Sequence, residues 1–208
     1  MDMQFIDDAV IVLSAQDAVM REVLRSIEPI SPPSKDLCFE NTARIVINQQ
    51  LSGKAANTIF SRILNVVEEF TPSSIIETPT DKLRNCGLSR AKIQYIKALA
   101  EKCQHDQSYL TSFISMTDEA AFARIRENKG FGDWSAYIFL LFHLKRPNIF
   151  PEGDATLNSV ISELYGVSKS NTDDICRMSD KWSPYKSIAC LALWRWADSG
   201  KPAINTHV

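Results

Sequence analysis

Apolar positions recur along this chain at helical spacing. Ala18, Val19, Val23, Leu24 and Ile27, with Glu22 and Ser26 among them, make an amphipathic pattern that ends at Pro29, and "SPPSKD" reads as a linker opening the next helix. From Phe39 to Phe70 the apolar residues Ala43, Ile47, Leu51, Ala55, Ile59 and Ile63 return every four positions, which predicts a long helical region with Ser52-Gly53 as its point of interruption. Short helices follow, each announced by a Ser, Thr or Asp cap signal and separated at Pro72, Pro79 and Gly87. "SMTDEAAFARIRENKGFG" adds a capped helix that ends at a glycine. No stretch alternates with period two long enough to build a sheet, and no repeat or low-complexity tract is visible. The expectation is an all-α protein of roughly nine or ten helices.

Composition narrows the function classes more than the fold. A chain of 208 residues buries a real core as one domain or two closely joined lobes. With 45% apolar and 23% charged residues, a net charge of −2 and a pI near 5.9, global charge does not advertise a polyanion partner. Any nucleic-acid site must therefore be a local patch or be built from backbone amides. Five cysteines without a CxxC pair argue against a disulfide scaffold and for a reducing compartment. The N-terminus has no basic region or small-residue cleavage site, and the apolar run from Ala9 to Leu13 is too short to span a bilayer. These features lead us to expect a cytoplasmic or, in a eukaryote, nuclear protein with no membrane partner. His105, His143 and His207 are too dispersed to form a catalytic pair or metal site.

Two features carry chemistry. "IRENKGFGDWSAYIFLLF" has the form of a helix, a turn with Gly130 and Gly132, and a second helix, which is a helix-hairpin-helix. Glycines allow left-handed turn angles and close approach of the turn amides to a ligand. The N–H groups of the following helix then favour phosphate without net positive charge. Taken alone, the same Gly-x-Gly also reads as the end of one helix and the start of the next. Downstream, Asp154 in "GDATLN" reads as a helix N-cap, and a cap with its helix dipole favours a carboxylate that keeps its negative charge. Glu152 is the alternative carboxylate and reads as solvent-facing.

"GFGDWSAYIFLLFHLKRPNIFPEGD" closely resembles the helix-hairpin-helix DNA glycosylases, in which the hairpin is followed by a glycine-aspartate loop, and within them the alkylation-repair branch, 3-methyladenine DNA glycosylase II. "IVINQQLSGKAANTIFSRI", "LRNCGLSRAKIQYIKALA" and "WSPYKSIACLALWRW" are similar to three further segments of that family, in order, so the resemblance runs from about Phe39 to Trp196. It fits the compact form, without the extra N-terminal β-containing domain of larger bacterial members.

What the resemblance implies is specific. Asp154 aligns with the catalytic aspartate, the fixed anion beside the sugar carbon as the base leaves. Trp134 stands where strand-cutting relatives carry a Schiff-base lysine, which implies a monofunctional enzyme. Trp134 and Trp194 fall at base-pocket positions, although both also suit a core. Ile138 stands where relatives often have a pocket tyrosine, with Tyr137 one step away. Gln50 or Leu51 is the wedge that fills the gap of an everted base, Gln50 being preferred because periodicity also suits Leu51 to a core, and Gln49 supports that loop. Lys129, Gly130, Phe131, Gly132, Asp133, Ser89, Lys92 and Lys54 are the expected contacts to the DNA backbone. No cofactor is implied beyond a monovalent cation, Na+ or K+, at the carbonyls of Lys129 and Phe131. The four-cysteine iron–sulfur cluster of another branch has no counterpart after Cys190.

The expected architecture is a single glycosylase domain, 1–208, in two helical lobes, residues 1–38 with 150–208 and residues 39–149, the hairpin being 125–142 and DNA crossing between the lobes. The expected activity is hydrolytic excision of alkylated purines (3-methyladenine, 7-methylguanine, and among other lesions ethenoadenine or hypoxanthine) from double-stranded DNA by a monomer. The alternative is a catalytically silent DNA-binding protein whose hairpin grips phosphate while Asp154 only caps its helix.

Overall fold

The structure, a computed structural model, describes residues 1–33 and 35–204; His207 lies outside the described residues. All regular structure among them is helical: twelve α-helices, a 3-10 turn at Thr111–Ser115 and a π-helical segment at Phe139–His143. The count exceeds the expectation because breaks at capping residues divide the chain into short pieces. Thr71 with Ser74 forms a capping box that starts α5 (Pro72–Glu77), and α6 (Thr80–Asn85) follows Pro79 directly. The chain forms two compact units, residues 1–34 with 145–208 and residues 35–144.

In the first unit α1 (Met3–Gln16) and α2 (Ala18–Ser26) pack with α12 (Lys186–Asp198), and α12 also packs with α10 (Ala155–Tyr165). Helix α12 buries Ser187, Ile188, Ala189, Cys190, Ala192, Leu193 and Trp196, so it is the core element rather than an amphipathic surface helix. Asp17, 5% exposed, separates α1 from α2 and ties the unit together. One carboxylate oxygen caps α2 by accepting from the Met20 N–H at 3.0 Å. The other accepts from the Tyr165 hydroxyl, the Trp182 indole N–H and the Lys181 ammonium, each at 2.9 Å. Burial pushes the Asp17 pKa up, but the hydrogen bonds from Trp182 and Met20 and the nearby Lys181 outweigh it and hold the carboxyl below its usual range.

In the second unit α7 (Arg90–His105) is the central helix. It packs against α3 (Phe39–Asn48), α5 and α6, burying Ile93, Ile96, Leu99 and Ala100. The expected helical region from Phe39 to Phe70 is two helices, α3 and α4 (Gly53–Leu64), with the break at residues 49–52, adjoining the expected interruption at Ser52-Gly53, and Leu51 is 38% exposed instead of continuing the apolar stripe.

His143 closes the π-helical segment at 4% exposure, and neither ring nitrogen has a partner at hydrogen-bonding geometry. Burial first, and then the Lys35 ammonium, push its pKa down to about 4, against support from the Asp36 backbone. The folded state therefore favours neutral imidazole. Its contribution to stability is complete above the unfolded pKa of about 6.5 and is lost as pH falls towards 4, a loss on the order of 3 kcal/mol. Thermal melts should accordingly show a His143→Leu variant losing less stability between pH 7 and pH 4.5 than wild type. Parallel losses in the two proteins would show that His143 is not an acid-sensitive point.

Candidate functional site

The hairpin begins with α8 (Asp118–Arg126), capped by Thr117 and carrying Asp118 and Glu119 in its first turn and Arg124 and Arg126 in its last, the charge order that suits a helix dipole. Its turn is set by buried groups. Asn128, 5% exposed, exchanges hydrogen bonds with the Tyr109 hydroxyl and donates to the Ile125 carbonyl, and its own carbonyl accepts from the Phe131 N–H at 3.0 Å. The Phe131 side chain is 4% exposed, so it anchors the turn and leaves only its backbone for a ligand. Helix α9 (Asp133–Ile138) follows and runs into the π-helical segment.

The two glycines differ. Gly130 has φ +90, and a Cβ there would lie 2.3 Å from Tyr95 Cδ2 on α7. Gly132 has φ −82 and ψ −175, which any residue adopts, and a Cβ on it would meet nothing within 4 Å. The left-handed angle expected of the turn is thus confined to Gly130.

Facing the hairpin within the same unit is the turn between α3 and α4. Gln49 Nε2 donates to the Gly130 carbonyl at 2.7 Å and to Ser135 Oγ at 2.8 Å. Gln50 adopts φ +56, a left-handed conformation that costs a non-glycine residue roughly 1 kcal/mol or more and persists only where its surroundings impose it. Gln49, Gln50, Gly132, Asp133, Trp134 and Ser135 line a cavity of about 380 Å³. Trp134, expected in the base pocket, and Gln50, the expected wedge, thus line one cavity together with Gln49, whereas Leu51, Tyr137 and Ile138 do not line it. Tyr137 instead packs on Phe122 of α8 with ring centroids 4.7 Å apart.

Of the expected backbone contacts, Lys129 and Lys54 are exposed, and Asp133 accepts from Arg126 Nε at 2.6 Å. Ser89 caps α7 by accepting from the Lys92 N–H at 3.2 Å. Lys92 departs from its expected role. Its ammonium donates to the carbonyls of Ile47 at 2.8 Å and Gln49 at 2.7 Å, and burial lowers its pKa.

In the first unit, Asp154 is 8% exposed at the N-terminus of α10. Its Oδ1 accepts from the Leu157 N–H at 2.9 Å, the cap read from the sequence, and from the Trp194 indole N–H at 3.1 Å. Trp194, expected at the base pocket, is half-buried and helps hold the carboxylate. Gly153 (φ +74) completes a turn closed by the Asp154 N–H on the Pro151 carbonyl at 3.2 Å. The preceding strand of loop is stapled by the fully buried Ser187, whose hydroxyl donates to the Arg146 carbonyl at 2.6 Å and accepts from the Ile149 N–H at 3.0 Å. Glu152 is exposed, as expected. Cys190 is fully buried, and burial, with the negative charge of Asp154, raises its thiol pKa well above the ordinary value, so it is an inert packing residue.

Ser187, Tyr95, Ser135 and Asn128 were not singled out in the sequence. Only Ser187 carried a signal, as the serine of "YKSIA". Among the described residues no three His, Cys, Asp or Glu side chains gather as a metal site, and no helix is long and apolar enough to cross a membrane.

Comparison with known proteins decides the family. The model of the HhH-GPD superfamily of base excision DNA repair proteins matches residues 43–184. The chain belongs to this superfamily. The match takes in the α3–α4 turn, α7, the hairpin and Asp154. Among superfamily relatives, the chain is 29% identical over 191 residues to the alkylbase DNA glycosidase-like protein mag2 of Schizosaccharomyces pombe, covering 88% of this chain and 90% of that protein. It is also 29% identical over 192 residues to DNA-3-methyladenine glycosylase 1 of the same yeast, covering 86% and 79%. The structure of S. pombe 3-methyladenine DNA glycosylase (Mag1) in complex with abasic DNA superposes with a TM-score of 0.81 at 25% identity, over 94% of this chain and 99% of that one. A DNA-3-methyladenine glycosidase structure from Bacillus halodurans gives 0.78 at 26% identity, over 92% and 90%.

Proposed function

We propose that this base excision repair glycosylase removes alkylated purines from double-stranded DNA as a monofunctional hydrolase of the 3-methyladenine glycosylase II type. The observation that carries the reading is Asp154, a carboxylate only 8% exposed and fixed by Leu157 N–H and Trp194 Nε1, in a superfamily member with tryptophan at position 134.

A purine alkylated at N3 or N7 bears a positive charge while attached to the sugar. When the N-glycosidic bond breaks, its electron pair goes to the base, which leaves neutral, and positive charge passes to the sugar ring. No acid need protonate such a leaving group. One fixed anion then supplies the main stabilisation, and the carboxylate orients the attacking water, whose proton passes to the carboxylate or to solvent. Cationic 3-methyladenine and 7-methylguanine are therefore expected to be released faster than neutral hypoxanthine or ethenoadenine. The half-buried Trp134 indole and the exposed Gln50 at the 380 Å³ cavity suit a disrupted base stack. A monovalent cation would be held by the carbonyls of Lys129 and Phe131. The intervening Gly130 carbonyl accepts from Gln49 and is not offered to such an ion.

The monofunctional assignment is tested by incubation with duplex carrying methylated purines, one portion with borohydride present throughout and a second, without borohydride, analysed before and after alkali. Breaks that appear only after alkali, with no protein trapped on DNA, are expected. Trapping of a covalent complex, or strand scission before alkali, would move the chain to the lyase class.

A further inference from the structure

We infer that Lys92 and Gln49 are positioning residues that lock the α3–α4 turn to the hairpin, so that the wedge and the grip on phosphate act as one rigid piece. The functional consequence rests on the glycosylase reading, but the lock itself does not.

Residues 49–52 would otherwise be a poorly held stretch. The turn interrupts two helices, places Gln50 at φ +56, and leaves Gln50 and Leu51 exposed. A residue that must enter a base stack needs the opposite property, a backbone that does not yield. Lys92 supplies it from α7. Its ammonium bridges the carbonyls of Ile47 and Gln49, which lie at the end of α3, where carbonyls lack helical partners and a positive charge complements the dipole. Two of its three donors are thereby directed into the protein, away from any phosphate.

Gln49 makes the second tie. Only its amide nitrogen can donate to the Gly130 carbonyl, so the orientation of the side chain is fixed, and the same nitrogen reaches Ser135 Oγ at the start of α9. Tyr95, one helical turn beyond Lys92 on α7, packs against Gly130 so closely that a Cβ there would lie 2.3 Å from its Cδ2. One helix therefore sets the height of both the wedge turn and the hairpin, and Gln49 joins the two.

The test uses the full chain. Amide hydrogen exchange without DNA should be roughly tenfold faster over residues 49–53 in Lys92→Met, and over both 49–53 and 129–133 in Gln49→Ala, with α7 itself unchanged. Lys92→Arg, which can still donate to two carbonyls, should restore the wild-type pattern. A second arm uses a duplex with a tetrahydrofuran abasic analogue opposite 2-aminopurine. Fluorescence rises when a wedge displaces the stack, and Lys92→Met should need roughly 10- to 100-fold more protein to produce that rise. The slope of log affinity against log salt on undamaged duplex should not change. Unaltered exchange in both variants, or a salt slope reduced by about 0.9 in Lys92→Met as a phosphate contact demands, would overturn the inference. A wild-type protein that leaves 2-aminopurine dark would count against the glycosylase reading instead, and the exchange result would decide the lock by itself.

Discussion

Asp154→Asn is expected to slow base release by at least about 100-fold while leaving duplex affinity and thermal stability close to wild type. The substitution is nearly isosteric. Asparagine caps a helix as well as aspartate does, so its side-chain oxygen can keep the hydrogen bonds from the Leu157 N–H and the Trp194 indole. What it lacks is the full negative charge beside the sugar as the base departs. Asp154→Ala, by contrast, also removes the cap and should cost about 1 kcal/mol of stability. The pair of variants therefore separates the two roles that the sequence left superimposed on one residue. Release by Asp154→Asn at the wild-type rate would reduce Asp154 to a cap. Trp194→Phe should fall between, because the carboxylate keeps its charge and its backbone donor but loses its side-chain donor.

Gly130→Ala should be the most destabilising single change in the hairpin, by about 2–4 kcal/mol. Two costs combine there. The backbone sits at φ +90, and the new methyl would lie 2.3 Å from Cδ2 and 2.6 Å from Cγ of Tyr95. Those atoms are near the root of the side chain, so rotating its far end gives no relief. A fall of about 5–15 °C in melting temperature follows for a chain of this size. Adding Tyr95→Ala should recover most of the steric part, leaving the contact to the residue 95 Cβ at 3.0 Å and the left-handed part. Gly132→Ala should melt within about 0.5 kcal/mol of wild type, since nothing lies within 4 Å of the new methyl. Its penalty should fall on DNA affinity, where an approaching phosphate would need the space. Equal melting losses at the two glycines would contradict the distinct roles assigned to them.

Local signals served this chain well. Cap residues, proline and glycine breaks and the four-residue apolar period marked the helices of the second unit, and the order of the hairpin, Trp134 and Asp154 was legible because each is written in neighbouring residues. What the sequence hid was carried by side chains that reach across the fold. Lys92 in "GLSRAK" looks like any surface lysine until Ile47 and Gln49, 45 and 43 positions away, are brought beneath it. Asp17 reads as a cap between two helices, and its bonds to Tyr165 and Trp182 span about 150 residues or more. Leu51 fits the apolar period by count, but the break at Gln50 turns it to solvent. Trp194 shows the converse. Its position in the family motif was readable, whereas its hydrogen bond to Asp154 depends on how α12 meets the start of α10.

Cleavage of the bond between an alkylated purine and its sugar, the proposed activity, is measured most directly by chromatographic detection of free base from duplex DNA treated with a methylating agent. Wild type is expected to liberate 3-methyladenine and 7-methylguanine over successive turnovers, and Asp154→Asn is expected to liberate neither above the spontaneous rate. Failure of the wild-type protein to release any methylated base, with an abasic duplex still bound, would contradict the account and leave a DNA-binding member of the superfamily whose buried aspartate only caps a helix.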